Sequence, residues 1–535
     1  MFIQRLKKFL YSYPKPERQQ EQQAPTPAGK PLSEELSDNL SLLQQSIGKN
    51  TDFVIHHLAA DQESDHKVIV SYIDGLVDQL LLSKLLENLN RLKVDNVLRA
   101  DKASADWLKN QLAMGNIQVI YTEEDLIHSV LDGRAVIVVQ GMREAFAVYI
   151  DGGSRRSVEE PSSQTVIRGP KEGFTEDIKT NIALLRRKIK SPHLTIESHV
   201  IGTYTRTSVS IAYIEGIANP EVVKEMTSRI QSIEIDGILE SGYIEEMIQD
   251  GVLSPFPTMY STERPDTVAG GLLEGLVAVF VDGTPFVLTA PVTFYRFLTS
   301  SEDYYQRFDI SSFLRIVRMI SFFVALLLPS VFISLTTFHQ EMLPMPLLIS
   351  LAAQREITPL PTLAEALLME LTFEVIREAE VRMPRAIGPA ISIVGALVLG
   401  QAAVQAGLVS AAVVIVVSFT AINNFALPSI NFASSVRLLR FAMMVLSGIF
   451  GLVGVLGVLI PLMAHLASLE SFGVPYLMPS SPFNKTNQKD QMIRAPWWKM
   501  RTRPIGIGDQ NRMRQPKDKK SFAEREVGRP RDPLA

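Results

Sequence analysis

Met319-Ile-Ser-Phe-Phe-Val-Ala-Leu-Leu-Leu-Pro-Ser-Val-Phe-Ile-Ser-Leu-Thr-Thr-Phe338 carries no charge over the roughly 20 residues that a helix needs to cross a bilayer. Ala386–Val436 and Phe441–Ala464 are uncharged in the same way. Three such runs exceed what one soluble core would bury, so the block Met319–Leu466 reads as the membrane part of a polytopic protein. Between the first two runs lies Glu341–Arg385, amphipathic and rich in Glu and Arg, which any account of function must explain.

Working outward, the 535 residues are 46% hydrophobic and 21% charged, a nearly globular average that arises because soluble segments dilute an apolar third. The absence of Cys excludes a disulfide framework and thiolate chemistry. A net charge of −4 announces no basic face for a nucleic acid. Met1–Tyr13 is basic but lacks the apolar core and small-residue cleavage site of a secretory signal, so the domain behind it is expected to stay in the cytoplasm.

The expected fold class is two small α/β subdomains followed by an all-α polytopic transmembrane domain. Residues 1–31 are a Gln/Glu/Pro-rich segment with nothing to bury and are expected to be disordered. Residues 32–153 form a first cytoplasmic α/β domain, with helical patterns at Leu36–Ile47 and Leu76–Leu92 and strands at Phe53–Leu58 and Val68–Ile73. Residues 154–308 form a second, with helices at Asp177–Ile189, Pro220–Ser232 and Ser241–Gln249 and strands at Thr195–Gly202 and Ser208–Ile214. The transmembrane domain covers 309–469, and 470–535 is a basic, Pro-rich tail expected to be disordered. Each α/β domain closes on a Val-rich strand between two glycines, Gly133 and Gly141 in one and Gly275 and Gly283 in the other. That pattern fits two diverged copies of one fold, or the commonness of Val-rich hairpins.

From Val166 onward a set of motifs is similar, in order, to the A subunit of the GerA-type spore germinant receptors. They are Val166-Ile-Arg-Gly-Pro-Lys-Glu-Gly-Phe174, Tyr213-Ile-Glu-Gly216, Ser254-Pro-Phe-Pro257, Thr262-Glu-Arg-Pro-Asp266, Val281-Asp-Gly-Thr-Pro-Phe286, Glu302-Asp-Tyr-Tyr-Gln-Arg307, Glu365-Ala-Leu-Leu-Met-Glu370 and Arg437-Leu-Leu-Arg440. The resemblance implies a multi-pass protein of the spore inner membrane with cytoplasmic N-terminal domains. It also implies a transporter-like B subunit and a C lipoprotein as partners, a response to nutrients that starts germination, and self-assembly into an ion-conducting pore. One departure is Leu276, where the resemblance leads us to expect Arg, so no role of that arginine carries over.

No cofactor, metal or enzyme constellation is apparent: the eight His residues are scattered, and adjacent His56 and His57 point to opposite faces of a strand. Arg168–Gly173 reads as a structural turn, since no Gly-x-x-x-x-Gly-Lys-Ser/Thr spacing supports a phosphate loop. Ser254–Pro257 and Thr262–Asp266 read as a rigid proline-rich strap between soluble and membrane parts, with Glu263, Arg264 and Asp266 as its coupling charges. On a helix over Thr362–Met383, Glu370, Glu374 and Glu378 are spaced by four and stack in one strip beside Arg377. The strip fits an interfacial helix with carboxylates in water or the lining of a water-filled vestibule or pore. Arg315 with Arg318, Arg382 with Arg385, and Arg437 with Arg440 read as cytoplasmic flanks, giving five crossings with the C-terminus outside. The rival readings are a secondary transporter and a non-conducting membrane scaffold or accessory germination protein.

Overall fold

The computed structural model describes residues 29–59, 67–91, 117–150, 160–161, 164–383, 398–483, 487–504, 506–508 and 510–515. The chain forms two compact units. The first ends at Gly152, and the second holds the remainder together with Lys49–Asp52.

In the first unit, helix α1 (Leu36–Ile47) precedes strands β1 (Phe53–Ala59) and β2 (Lys67–Ile73), and helix α2 (Gln79–Arg91) follows. Strand β3 (Ile117–Ile120), helix α3 (Glu123–Leu131) and strands β4 (Ala135–Val139) and β5 (Ala145–Val148) complete it. The strand order is β1-β2-β4-β5-β3, every pair antiparallel. The sequence pattern locates α1, α2, β1, β2 and β4, but β3 and α3 do not stand out in it. The strand has only four residues, whereas the helix carries a start signal: Thr122 accepts a hydrogen bond from the Asp125 amide at 3.2 Å.

The second unit opens with α4 (Ile178–Lys188), β6 (Leu194–Ile201), β7 (Thr207–Ile214), α5 (Pro220–Gln231) and α6 (Ser241–Ile248). It continues with β8 (Tyr260–Thr262), α7 (Pro265–Glu274), β9 (Val277–Val281) and β10 (Val287–Ala290). Its sheet runs β6-β7-β9-β10-β8 in strand order, the same topology as the first. Because side chains alternate along a strand, Val277, Val279 and Val281 enter a core with α5 and α6, while Ala278 and Phe280 enter another with α4 and α7. An uninterrupted apolar strand is thus buried on both faces.

Finer features repeat as well. Gly133, Gly141, Gly275 and Gly283 all have positive φ, at 84°, 82°, 108° and 88°. Buried Asn39 in α1 and Asn181 in α4 each clasp the backbone six residues upstream through both side-chain atoms, Ser33 in one case and Thr175 in the other. Tyr72-Ile-Asp-Gly75 and Tyr213-Ile-Glu-Gly216 end equivalent strands, and three residues later Asp78 and Asn219 each accept hydrogen bonds from the first turn of a helix. The two α/β domains are therefore copies of one topology.

Two 3₁₀ turns, Phe294–Leu298 and Ser301–Tyr304, form a collar that leads into α8 (Phe308–Thr337). Helices α9 (Met345–Arg355), α10 (Thr362–Arg382), α11 (Ala411–Phe425), α12 (Ile430–Phe450) and α13 (Leu452–Ser468) follow. Helices α8 and α12 are long and apolar enough to cross a membrane, and α11 and α13 are shorter apolar helices. Two expectations change here. The run Phe441–Ala464 is not one span, because Gly451, at φ 63° and ψ −143°, breaks it into α12 and α13. Arg437 and Arg440 lie within α12 instead of flanking a span, and residues 386–397 of the uncharged run Ala386–Val436 lie outside the described residues.

The tail expectation is also corrected over its described part. Among its described residues, Tyr476 and Arg494 are among the most buried large side chains. Phe256, Phe294, Phe297, Phe322, Phe432 and Tyr476 share one core, with Phe294 centred 5.3 Å from Phe322 and 5.4 Å from Phe432. Low periodicity hid this, because the tail is ordered by an existing surface and not by a stripe of its own. Arg315 at the start of α8 donates to Asp490 at 2.8 Å, and the Arg494 amide donates to Ser312 at 3.0 Å. The described tail residues therefore pack against the base of α8.

Candidate functional site: a charged seam and the collar beneath it

The acidic strip lies on α10 as its spacing dictates, but its members meet different surroundings. Glu370 is 1% exposed and pairs with buried Arg440 of α12 at 2.9 Å. Glu374, partly exposed, is held by Arg437 and lies 3.7 Å from Arg440. Glu378 is open to solvent and pairs with Arg382 on its own helix. Arg377 stacks over the Phe425 ring of α11 at 5.4 Å. The strip thus runs from a buried ion pair to an exposed one, and its inner end joins α10 to α12.

Glu365, one turn before, was not singled out by its spacing. It is fully buried and accepts hydrogen bonds from the Ser410 amide at 2.8 Å and from Thr358 at 3.2 Å. Ser410 is the N-cap of α11, so this carboxylate satisfies a backbone donor that the helix start leaves open.

The expected strap is not an extended linker. Tyr260–Thr262 is edge strand β8, paired with β10, and Pro265 begins α7. Pro at the first helical turn has no amide to leave unsatisfied, and it forces extended backbone on Arg264, at φ −103° and ψ 115°. Buried Arg264 grips Asp266 through two hydrogen bonds of 3.0 and 2.8 Å and donates to the Pro170 carbonyl at 2.9 Å. Tyr305 donates to Asp266 at 2.7 Å. Burial, and then that hydrogen bond, push the Tyr305 hydroxyl above its ordinary range. Gly169, at φ 144°, lies so close beneath the Tyr305 ring that a Cβ would be 2.8 Å from it. Glu263 is buried, and its carbonyl accepts from Phe174 at 2.8 Å. The coupling charges therefore reach the collar, three residues before α8.

Direct contact with the helices is made instead by Ser254-Pro-Phe-Pro257. Ser254 hydrogen-bonds His465 of α13 at 2.8 Å, the Pro255 carbonyl accepts from Ser435 of α12, and the Pro257 carbonyl accepts from Tyr476 at 2.9 Å. Asp303 is the hub of the collar: it is 1% exposed and accepts from Arg315 at 3.1 Å and from Arg318 at 2.7 Å. These partners lie far apart in the sequence, so no spacing rule could pair them; the clue was several charges beside an apolar run. Among the described residues, no group of three acidic or His side chains is placed to hold a metal.

An α/β domain of repeated topology whose second copy shares a core with an apolar helical bundle fits a class of membrane-associated protein. The chain belongs to the Bacillus/Clostridium GerA spore germination protein family, which it matches over residues 34–505. It is 45% identical to spore germination protein KA of Bacillus subtilis, covering 91% of this chain and 90% of that one. It is 42% identical to the membrane protein YfkQ and 38% identical to spore germination protein B1 of the same organism, over 92% and 90% of this chain and 96% and 99% of theirs. A crystal structure of the N-terminal domain of the A subunit of the Bacillus megaterium germinant receptor GerK3 is 40% identical, covering 50% of this chain and 99% of that one at a TM-score of 0.40.

Proposed function

We propose that this protein is a membrane subunit of a nutrient germinant receptor, that it triggers spore germination, and that it does so by assembling with copies of itself into a gated ion channel. The observation that carries the receptor reading is family membership across nearly the whole chain, α/β head and helices alike. In this reading the head and tail are cytoplasmic, the helices lie in the spore inner membrane, and a B-type transporter-like subunit and a C-type lipoprotein are partners. The chain acts without enzymatic chemistry.

Support for conduction comes from the gradient on α10. Its outer end brings Glu374 and Glu378, paired with Arg437 and Arg382 but not fully buried, to where they would line a vestibule between subunits, and rings of negative charge attract cations. Nutrient binding in the complex would bias closed and open states through the head, whose Arg264–Asp266 pair and Asp303 hub hold the base of α8. The buried Glu370–Arg440 pair favours a second role for the strip's inner end, as a structural clamp between helices.

The test is single-channel recording of the purified chain in bilayers, together with nutrient-by-nutrient germination of spores that lack it. Glu374→Gln with Glu378→Gln is expected to lower cation selectivity while the protein still assembles. Unchanged conductance and selectivity in that double variant would sink the pore-lining role, and normal germination of the deletion strain with every nutrient would sink the receptor role.

A further inference from the structure

A cavity of about 420 Å³ lies between α7, the collar and the tail. That volume is in the range of small-molecule sites, roughly 300–1,000 Å³. Tyr304, Tyr305, Trp497 and Leu273 supply flat and apolar wall. The acidic side chains on the wall are already engaged: Asp266 is gripped by Arg264, and Glu274 pairs with Arg514 at 3.3 Å.

The donors on the wall are not all engaged. Arg296 reaches the Thr267 carbonyl with one Nη at 3.4 Å, yet its Nε is buried with no hydrogen-bond partner among the described residues. The Ser301 hydroxyl on the same wall is buried and likewise unpartnered. A guanidinium is always charged and can only donate, and a serine hydroxyl can donate beside it. Two unpartnered donors, one cationic, on the same wall as Tyr304, Tyr305 and Trp497 suit an anionic oxygen pair on a flat body.

We infer that this cavity is a binding site for a small organic carboxylate with a flat apolar body. An occupant would touch α7, the collar before α8 and the tail at once, so it would tie the α/β head to the base of the first long apolar helix. This inference does not depend on whether the chain conducts ions.

The test uses the full-length protein in lipid nanodiscs, titrated with trans-cinnamate, its neutral isostere cinnamamide, and inorganic phosphate, read by saturation-transfer NMR. Gly270 lines the cavity from α7, and a Cβ there would meet nothing within 4 Å, so Gly270→Leu fills the space without disturbing the helix. Cinnamate is expected to bind saturably, with cinnamamide and phosphate each at least about ten-fold weaker. Gly270→Leu should weaken cinnamate by about ten-fold or more at an unchanged melting temperature. Arg296→Gln should bring cinnamate down to the level of cinnamamide. If that variant melts early, Ser301→Ala, whose hydroxyl bonds nothing else, should lower cinnamate affinity several-fold and leave cinnamamide as it was. Wild-type affinity in Gly270→Leu, equal binding of acid and amide, or no saturable binding of cinnamate at millimolar concentration would each overturn the assignment.

Discussion

The two α/β domains share strand order, a pair of positive-φ glycines and a buried Asn clasp, yet they differ at the corner between the last helix and β4 or β9. In the first domain Arg134 follows the corner glycine, stacks over Tyr149 at 4.1 Å and donates to Gln118 at 2.7 Å on an open surface. In the second, Leu276 takes that place and is buried, and the corner glycine is covered by tail residues Ile507 and Gly508. The fold occurs twice, and in the second copy the corner is covered by the tail. The replacement of an arginine by leucine marks that change, since an apolar side chain suits a surface that is roofed over.

The largest expected effect falls where the first domain has no counterpart. Asp303→Ala strips buried Arg315 of one of its two carboxylate partners and Arg318 of its carboxylate partner, so it should cost about 3–5 kcal/mol. Thermal unfolding of the detergent-solubilised chain measures it, and an unshifted transition would mean that the collar does not anchor α8. Next comes the corner itself. A Cβ at Gly275 would stand 2.8 Å from both Ile507 O and Gly508 Cα, whereas at Gly133 the nearest atom is a side-chain carbon of Leu76 at 3.2 Å. Gly275→Ala should therefore cost roughly 3 kcal/mol, because backbone must move, and Gly133→Ala about 1 kcal/mol for its positive φ. Equal losses would show that the roofing is not what separates the copies.

Sameness is tested by the clasps. Asn39→Ala and Asn181→Ala each remove two hydrogen bonds to backbone and should lower local hydrogen-exchange protection by similar amounts, about 2 kcal/mol apiece. A clasp that matters in one domain alone would break the equivalence. The smallest effect is a pH dependence confined to the second copy. Burial, with a smaller push from Glu240, raises the Glu245 carboxyl to about 7. The folded state therefore holds a proton that the unfolded chain releases nearer its ordinary value, so stability falls as pH rises from about 4.5 to 7. Glu245→Gln should stabilise the domain by about 1 kcal/mol at pH 8 and leave it unchanged near pH 4, measured by urea denaturation. A gain that is the same at both pH values would remove the carboxyl as its cause.

Most of the secondary structure was legible because periodicity is local. Helix α1 and the start of α5 fall where apolar spacing and capping residues put them, and α10 ends within one residue of its expected limit. The short elements β3, β8 and α7 were not legible, since a four-residue strand and a three-residue strand carry too little pattern. At the candidate site, spacing placed Glu370, Glu374 and Glu378 on one face of α10, but it could not say that Arg440 waits for the first and solvent for the last.

By itself, then, the sequence determined the helices and most of the strands, the apolar block, the acidic strip and the family, because each is written in the spacing or order of nearby residues. Tertiary structure alone decided that the α/β domains share one topology, that Gly451 divides an apolar run, and that tail residue Asp490 meets Arg315. Those outcomes depend on burial and charge pairing between residues far apart along the chain. No local pattern encodes which distant surface will cover a leucine or which arginine will neutralise a buried carboxylate.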